Sequence, residues 1–278
     1  MCLLYWRGDR RVARRTQSSL AVSGDGTNWI ILNCSPDIRE QIAVSPRLQP
    51  KESLRGSPIR AVVLTSGDID HLGGLLSLRE QTPFRLYAAP AVLNVIAGNS
   101  VFDVLDPALV SAHSLCVGRE VDITGGLRLR IFPVPGKEPL YMERDSTQTN
   151  MRSDFTLGLR LSDANGKSIA YVPACAAVDD KVRDAIGSPD ALFFDGTVWT
   201  DDELIAAGVG QKTGRRMGHL PISGLDGSIA ALADVPCGAK FFVHINNTNP
   251  LNFEASPERR IAEDSGWRIP HDGMEIAL

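Results

Sequence analysis

The chain has 278 residues, of which 43% are hydrophobic and 22% charged, and these proportions exclude disordered, collagen-like and coiled-coil proteins. Its 29 Lys and Arg against 33 Asp and Glu residues give a formal net charge of −4, which disfavours a dedicated nucleic-acid-binding protein. No run reaches the roughly 18 apolar residues of a membrane span, and the apolar start is too short for a signal peptide, so we expect a cytoplasmic protein.

The cysteines and the chain punctuation indicate one domain with reduced thiols. The number of cysteines is odd, and none of them forms a C-x-C or C-x-x-C pair, which argues against a disulfide framework and against a self-contained zinc knuckle. The sequence contains no internal repeat and no linker rich in Pro, Gly and Ser. We therefore expect a single domain over residues 1–278.

Short apolar or β-branched runs, which predict buried strands, alternate with segments of helical spacing. The predicted strands cover residues 29–32, 61–65, 84–87, 127–132, 155–161, 169–172, 191–194 and 240–244. The predicted helices cover residues 71–80, 90–97, 228–233 and 257–265, and the last begins after Ser256 as N-cap. A turn at residues 163–166 predicts a hairpin. This irregular order favours an α/β sandwich of two mixed sheets flanked by helices.

Polar residues follow several of these strands, at the sheet edge where functional sites collect. The richest group is Asp68, Asp70 and His71, which lies between a predicted strand and a helix with an early glycine pair. One interpretation is a metal site. The other is that Asp70 is a helix N-cap, that Asp68 interacts with the helix dipole, and that His71 is an ordinary surface residue.

His244 ends the strand predicted at residues 240–244 and would reach the same sheet edge. A single histidine at such a place is more often a hydrogen-bonded core residue. Two imidazoles with one or two carboxylates, however, are the ligand set that leaves open positions on Fe(II), and the same set also binds Zn(II) or Mn(II).

A glycine-rich loop over residues 210–221 carries Lys212, Arg215, Arg216 and His219. Arginine binds carboxylates through two parallel hydrogen bonds, so this loop could bind an acidic substrate. The alternative is a solvated basic loop. The segment with Ser18 is either a polar edge strand or a pocket wall, and we expect Cys34 and Cys175 to be small buried side chains.

Several stretches together resemble one known family: RTQSSLAVS (15–23), SPDIREQI (35–42), TSGDIDHLGGLLSLRE (65–80), YVPAC (171–175), FFDGT (193–197), KTGRRMGHLPISGLDGSIAAL (212–232) and HINNTNP (244–250). They resemble the pyrroloquinoline quinone (PQQ) biosynthesis protein B family of the metallo-β-lactamase superfamily, over almost the whole chain. The resemblance implies an αββα sandwich with a metal at one edge of the two packed sheets.

Hydrolases of this superfamily usually carry T-H-x-H-x-D-H, but here Ser66 and Asp68 replace the first two histidines. This departure argues against a two-zinc hydrolase and favours one harder site with iron and oxygen chemistry. The resemblance implies an iron-dependent hydroxylase that uses O2 on the tyrosine-derived ring of a cross-linked Glu-Tyr precursor with several carboxylates. Fe(II) would be held by Asp70, His71 and His244, with Asp68 as an additional or alternative ligand.

The resemblance also assigns roles around the metal. His219 would act as acid or base or orient the substrate, Asp195 would support the site, and the substrate would be bound by Lys212, Arg215, Arg216 and Ser18. Two other functions stay open: a carrier that moves PQQ or its precursor toward the periplasm, and a diverged metallo-hydrolase.

Members of this family carry an N-terminal Cys-x-Cys-x-x-Cys cluster for a structural zinc. Only Cys2 corresponds to that cluster here, and one thiolate cannot close a zinc site, so we expect the structural zinc to be absent. Members of the family also have a further strand near this cluster, and we expect it to be absent here as well. The sheet edge left open in this way would favour association of two copies in a homodimer.

Overall fold

The structure is a computed structural model that describes residues 2–51, 56–79, 81–144 and 148–278. Its first sheet contains, in spatial order, β1 (Leu20–Val22), β2 (Trp29–Leu32), β3 (Ile59–Val63), β4 (Phe84–Ala88) and β5 (Val110–Ser114). The second contains β6 (Glu120–Ile123), β7 (Leu127–Gly136), β8 (Met151–Ser162), β9 (Ser168–Val172), β10 (Ala191–Asp195), β11 (Ala239–Val243) and β12 (Trp267–Arg268), also in spatial order. Pairing is parallel from β2 to β5 and from β9 to β12, and antiparallel in β1–β2 and from β6 to β9.

Short helices connect these strands. The α-helices are α1 (Cys2–Trp6), α2 (Ile38–Val44), α3 (Ile69–Leu72), α4 (Pro90–Ala97), α5 (Asp180–Ile186), α6 (Glu203–Ala206), α7 (Gly214–Met217), α8 (Ser228–Ala231) and α9 (Pro257–Asp264). Single 3₁₀ turns span Pro46–Leu48, Gly73–Ser77, Ser100–Val104, Thr124–Gly126, Leu140–Met142 and Pro250–Asn252.

Both sheets are apolar on both faces, so the buried side chains form three layers. The middle layer lies between the sheets and contains side chains of β2 and β3 together with side chains of β7 to β11. The outer face of the first sheet packs against α2, α3 and α4, and the outer face of the second packs against α5 and α9. The result is an αββα sandwich, which confirms the predicted fold class.

Each strand predicted from the sequence is present, but with some different bounds. β7 and β8 extend farther than predicted, and β3 and β11 both begin and end earlier than predicted. The predicted hairpin joins β8 to β9, and Gly166 in its turn has a φ of +85°, a conformation that glycine adopts without strain. The predicted N-cap of α9 is also confirmed, because the Ser256 hydroxyl accepts a hydrogen bond from the Arg259 N–H at 3.0 Å.

The helix predicted over residues 71–80 is wrong. α3 begins earlier, at Ile69, and a 3₁₀ turn replaces the helix from Gly73 onward; Glu80 lies outside the described residues. The reason is a close backbone contact: the Gly74 N–H donates to the Cys34 carbonyl at 2.9 Å, and a Cβ at Gly74 would lie 2.1 Å from the Ser35 carbonyl oxygen. The α8 and α9 helices end earlier than predicted, at Ala231 and Asp264.

The predictions for the cysteines and for membrane spans can be compared with the structure over the described residues. Cys34, Cys116, Cys175 and Cys237 are free thiols, as predicted, and the side chain of Cys2 lies outside the described residues. Among the described helices, none has both the length and the apolar character needed to cross a bilayer.

Candidate metal centre

The loop after β3 is attached to the second sheet, which brings the two sheets together at the site. The Leu157 N–H of β8 donates to the Thr65 carbonyl at 3.0 Å, and the Thr65 N–H donates to the Asn33 side-chain oxygen at 2.9 Å. Asp68 then occupies the N-cap position of α3 with extended backbone, and Asp70 lies within the first turn. The interpretation of Asp70 as N-cap is therefore wrong, because the helix begins two residues earlier than that interpretation requires.

His71 is a buried polar side chain, with an exposed fraction of 1%. Its Nδ1 lies 2.7 Å from the Ser66 hydroxyl, which donates its own proton to Asp68 at 3.1 Å. Because that hydroxyl has one proton, it must accept from the Nδ1–H of His71, and the lone pair of the imidazole is then on Nε2. Burial lowers the pKa of His71, so the ring is neutral and suited to bind a metal.

The Nε2 atom of His71 is buried and has no hydrogen-bond partner among the described residues. An unpaired buried nitrogen is costly, and a bound cation would satisfy it.

His244 follows β11 with a φ of +58°, an uncommon conformation for a residue other than glycine. Its Nδ1 lies 2.8 Å from the Thr197 hydroxyl, whose proton is directed to the Asp195 carboxylate or to the His244 carbonyl. Both of those groups only accept hydrogen bonds, so Nδ1 of His244 must donate, and Nε2 is directed toward Asp70 at 2.8 Å.

The pKa shifts of Asp70 and His244 indicate that the two side chains share a proton, at a position where a metal cation could bind. Burial alone would lower the pKa of His244, but the hydrogen bond and charge of Asp70 outweigh it and raise the pKa. Burial would likewise raise the pKa of Asp70, and the hydrogen bond from His244 with the nearby imidazoles holds it below its usual range. A metal ion between these groups would replace the shared proton, which is the behaviour expected of a metal site.

Asp70, His71 and His244 therefore fit a metal ion. One donor atom from each residue can be chosen so that all of them lie within 4.8 Å of one another. The imidazole rings of His71 and His244 are edge to face with centroids 5.2 Å apart. Asp68 lines the same cavity but accepts hydrogen bonds from the Ser66 hydroxyl and, at 3.3 Å, from the Leu140 N–H, so its role as a ligand stays a prediction.

A second group, formed by Asp195, His219 and His244, also has donor atoms within 4.8 Å of one another, but hydrogen bonds already satisfy its carboxylate. One oxygen of Asp195 accepts from the N–H and the hydroxyl of Thr197, at 3.0 and 2.7 Å. The other accepts from the Cys175 N–H at 2.9 Å and lies 2.8 Å from Nδ1 of His219. Asp195 thus orients His219 and holds its proton on Nδ1, so that Nε2 of His219 carries the lone pair.

The site opens into a cavity of about 120 Å³, and its walls come from both sheets. The residues that line it include Asp68, Asp70 and His71 from the loop after β3 and Met217, Gly218 and His219 from the α7 segment. The sequence analysis assigned no role to Lys137, which also lines the cavity, or to Thr197, whose hydroxyl contacts both His219 and His244. The position of Thr197, two residues after a buried strand that ends in Asp195, is the signal that could have identified it.

The residues predicted to bind substrate do not all lie together. Lys212 and Arg216 contact Glu143, at 2.5 and 3.7 Å, beside the cavity. Arg215 instead pairs with Asp226 at 2.6 Å on the surface. Ser18 is not among the residues that line the cavity; its side chain is hydrogen-bonded to the buried hydroxyl of Tyr171, and burial raises the pKa of that hydroxyl to about 12.

Comparison with known proteins identifies the family. Residues 28–245 match the beta-lactamase superfamily domain. The coenzyme PQQ synthesis protein B of Methylobacterium nodulans is 50% identical over 278 residues, which cover 100% of this chain and 93% of that protein. The chain belongs to the coenzyme PQQ synthesis protein B family. The protein of the same description from Xanthomonas oryzae pv. oryzae is 46% identical over 99% of this chain and 92% of its own length.

Solved structures agree with this assignment to the coenzyme PQQ synthesis protein B family. The crystal structure of Zn²⁺-bound PqqB from Methylobacterium extorquens superposes with a TM-score of 0.97 at 49% identity, over 100% of this chain and 92% of that one. The metallo-β-lactamase fold protein YhfI of Bacillus subtilis has a TM-score of 0.65 at 12% identity, over 93% of this chain and 91% of its own, and shows the fold alone. The predicted family resemblance is confirmed.

Proposed function

We propose that this member of the coenzyme PQQ synthesis protein B family is an Fe(II)-dependent hydroxylase. Its substrate is the cross-linked Glu-Tyr precursor of PQQ, and its oxidant is O2. One oxygen atom enters the ring, and the other leaves as water with two electrons and two protons, the electrons coming from an external reductant. The observation that carries the proposal is the buried Nε2 of His71, which has no hydrogen-bond partner among the described residues and lies 3.9 Å from the Asp70 carboxylate beside His244.

Asp70, His71 and His244 would hold the metal, as two imidazoles and one carboxylate. This ligand set leaves open positions on Fe(II), and the bound ion supplies the electron transfer that lets O2 react with an aromatic ring. His71 donates its Nδ1–H to Ser66 and His244 donates its Nδ1–H to Thr197, which leaves Nε2 of each imidazole as the atom that would bind the metal.

His219 is the residue placed to move a proton. Its Nδ1–H is held by Asp195 and its ring stacks on His244 with centroids 5.2 Å apart, so Nε2 is the atom that can accept the phenolic proton of the substrate. Burial would raise the pKa of Asp195, but the charge and hydrogen bond of His219 keep it below its usual range. Asp195 therefore stays ionised and stabilises an imidazolium formed at His219.

The substrate carboxylates need a positive surface that the chain as a whole, with its formal net charge of −4, does not offer. Lys137 lines the cavity, and Lys212 and Arg216 lie beside it. These cations supply a local attraction for a multiply charged anion.

The test is anaerobic reconstitution with Fe(II), followed by metal analysis and by O2 uptake with the cross-linked Glu-Tyr substrate and a two-electron reductant such as ascorbate. We expect one iron per chain and substrate-dependent O2 uptake, both lost in His71→Ala and His244→Ala. His113→Ala is the matched control, because His113 stacks on Tyr87 in the first sheet and should not change either result.

Other outcomes would support the other functions. Tight binding of PQQ with no iron-dependent O2 uptake would support a carrier of PQQ or its precursor. Phosphodiesterase or lactonase turnover with zinc or manganese would support a diverged metallo-hydrolase.

A further inference from the structure

A short segment after β7 runs from the loop after β3, which carries Asp68 and Asp70, to the loop that carries α7. We call residues 137–143 the strap. On one side, the Leu140 N–H donates to the Asp68 carboxylate at 3.3 Å, and the Tyr141 hydroxyl donates to the Gly67 carbonyl at 2.9 Å. On the other side, the strap ends at Glu143, which contacts Lys212. The strap therefore links the loop after β3 to the loop that carries α7.

Glu143 is surrounded by more positive charge than one carboxylate balances. Its oxygens lie 2.7 Å from Nζ of Lys137, 2.5 Å from Nζ of Lys212 and 3.7 Å from Nη2 of Arg216. Only 9% of the Glu143 side chain is exposed. Burial would raise its pKa, but the hydrogen bonds from Lys137 and Lys212 hold the pKa below its usual range, so the group is a carboxylate.

The cation cluster also has unused capacity. Nη1 of Arg216 is buried and has no hydrogen-bond partner among the described residues. A structural ion pair needs one cation for one carboxylate, and additional charges close together and partly buried are unfavourable unless an anion compensates them. Lys137 itself lines the cavity, with its side chain against Gly218. Lys137 thus connects the cluster to the cavity.

We propose that Lys137, Lys212 and Arg216 form a carboxylate subsite that Glu143 occupies in the ligand-free protein. A carboxylate of the substrate takes the place of Glu143, which releases the end of the strap from the α7 loop. The proposal rests on the proposed function, since it takes the substrate to be a multiply carboxylated molecule. It adds Lys137 as a specificity-determining residue and Glu143 as an internal competitor.

An internal competitor lowers the apparent affinity for the ligand, because the ligand can bind only during the fraction of time in which the subsite is vacant. Glu143→Gln keeps the shape of the side chain but removes its charge, so a ligand carboxylate should bind more tightly, by about tenfold if Glu143 occupies the subsite about 90% of the time. Glu138→Gln is the matched control, because Glu138 is an exposed strap residue and its substitution removes the same charge nearby.

The first experiment is calorimetric titration of the metal-loaded protein with benzene-1,3,5-tricarboxylate, with the neutral tricarboxamide as the control ligand. We expect tighter binding in Glu143→Gln, no change in Glu138→Gln and weaker binding in Lys212→Gln, with thermal melts to show that each variant is folded. Unchanged or weaker binding in folded Glu143→Gln would overturn the proposal. If Glu143→Gln does not fold, loss of binding in Lys212→Gln together with the exchange result below decides it.

The second experiment is hydrogen–deuterium exchange of the strap in the wild-type protein. Tricarboxylate binding should increase exchange in peptides covering residues 138–143, whereas protection of those peptides would mean that the strap closes over the ligand and would refute displacement. Neither experiment uses O2. If Glu143→Gln binds the tricarboxylate more tightly but no O2 uptake is found, the hydroxylase is refuted and the subsite is supported. If O2 uptake is found but the tricarboxylate does not bind, the subsite is refuted and the hydroxylase is supported.

Discussion

Thr197→Val tests whether the Thr197 hydroxyl is what orients the metal-binding imidazole. Valine keeps the branched shape and removes the oxygen that lies 2.7 Å from Asp195 and 2.8 Å from Nδ1 of His244. The loss removes a hydrogen bond to a charged group, worth about 1.5–3 kcal/mol, and leaves the Nδ1–H of His244 without that acceptor. The ring of His244 is then free to change tautomer.

We expect Thr197→Val to weaken metal binding about 10- to 100-fold, which is the usual effect of removing a group that orients a ligand. At about 1.4 kcal/mol per tenfold, the loss corresponds to roughly 1.4–2.8 kcal/mol, similar to the value of the lost hydrogen bond. The assay is competition for Fe(II) or Zn(II) with a chelator of known affinity, and Thr197→Ser should restore binding because it keeps the hydroxyl. A Thr197→Val protein that is folded and binds metal as tightly as the wild type would refute the reasoning.

Further predictions concern the metal, the backbone and the thiols. Removal of metal by chelation should lower the melting temperature, because a ligand at 100 times its Kd stabilises the folded state by about 2.7 kcal/mol; an unchanged melting curve would contradict a resident ion. Gly74→Ala should destabilise the protein by about 1–3 kcal/mol or more in urea unfolding, because its Cβ would lie 2.1 Å from the Ser35 carbonyl oxygen. In mass-spectrometric mapping, a thiol reagent should modify exposed Cys116 in the native protein but Cys34 and Cys175 only after unfolding, since burial raises the pKa of both buried thiols.

The sequence predicted the layers of the fold well because strand burial has a local signature. Apolar runs such as residues 191–194 and 240–244 are buried on both faces only between two covering layers, and both lie in interior strands of the second sheet. The prediction failed for residues 71–80, because the helical spacing there says nothing about the approach of Gly74 to the backbone of another segment. Very short elements such as β1 and β12 were missed because they carry too few residues to show a period.

The composition of the site was likewise predicted from the sequence, in the group Asp68, Asp70 and His71 and in the histidine that follows β11. What the tertiary structure alone decided is which of these atoms meet. Asp70 and His244 are 174 residues apart, and their contact at 2.8 Å depends on the order of strands in two sheets. The tertiary structure also decided that Arg215 pairs with Asp226 while Arg216 lies beside Glu143 with the other cations. These contacts join segments that share no local sequence pattern.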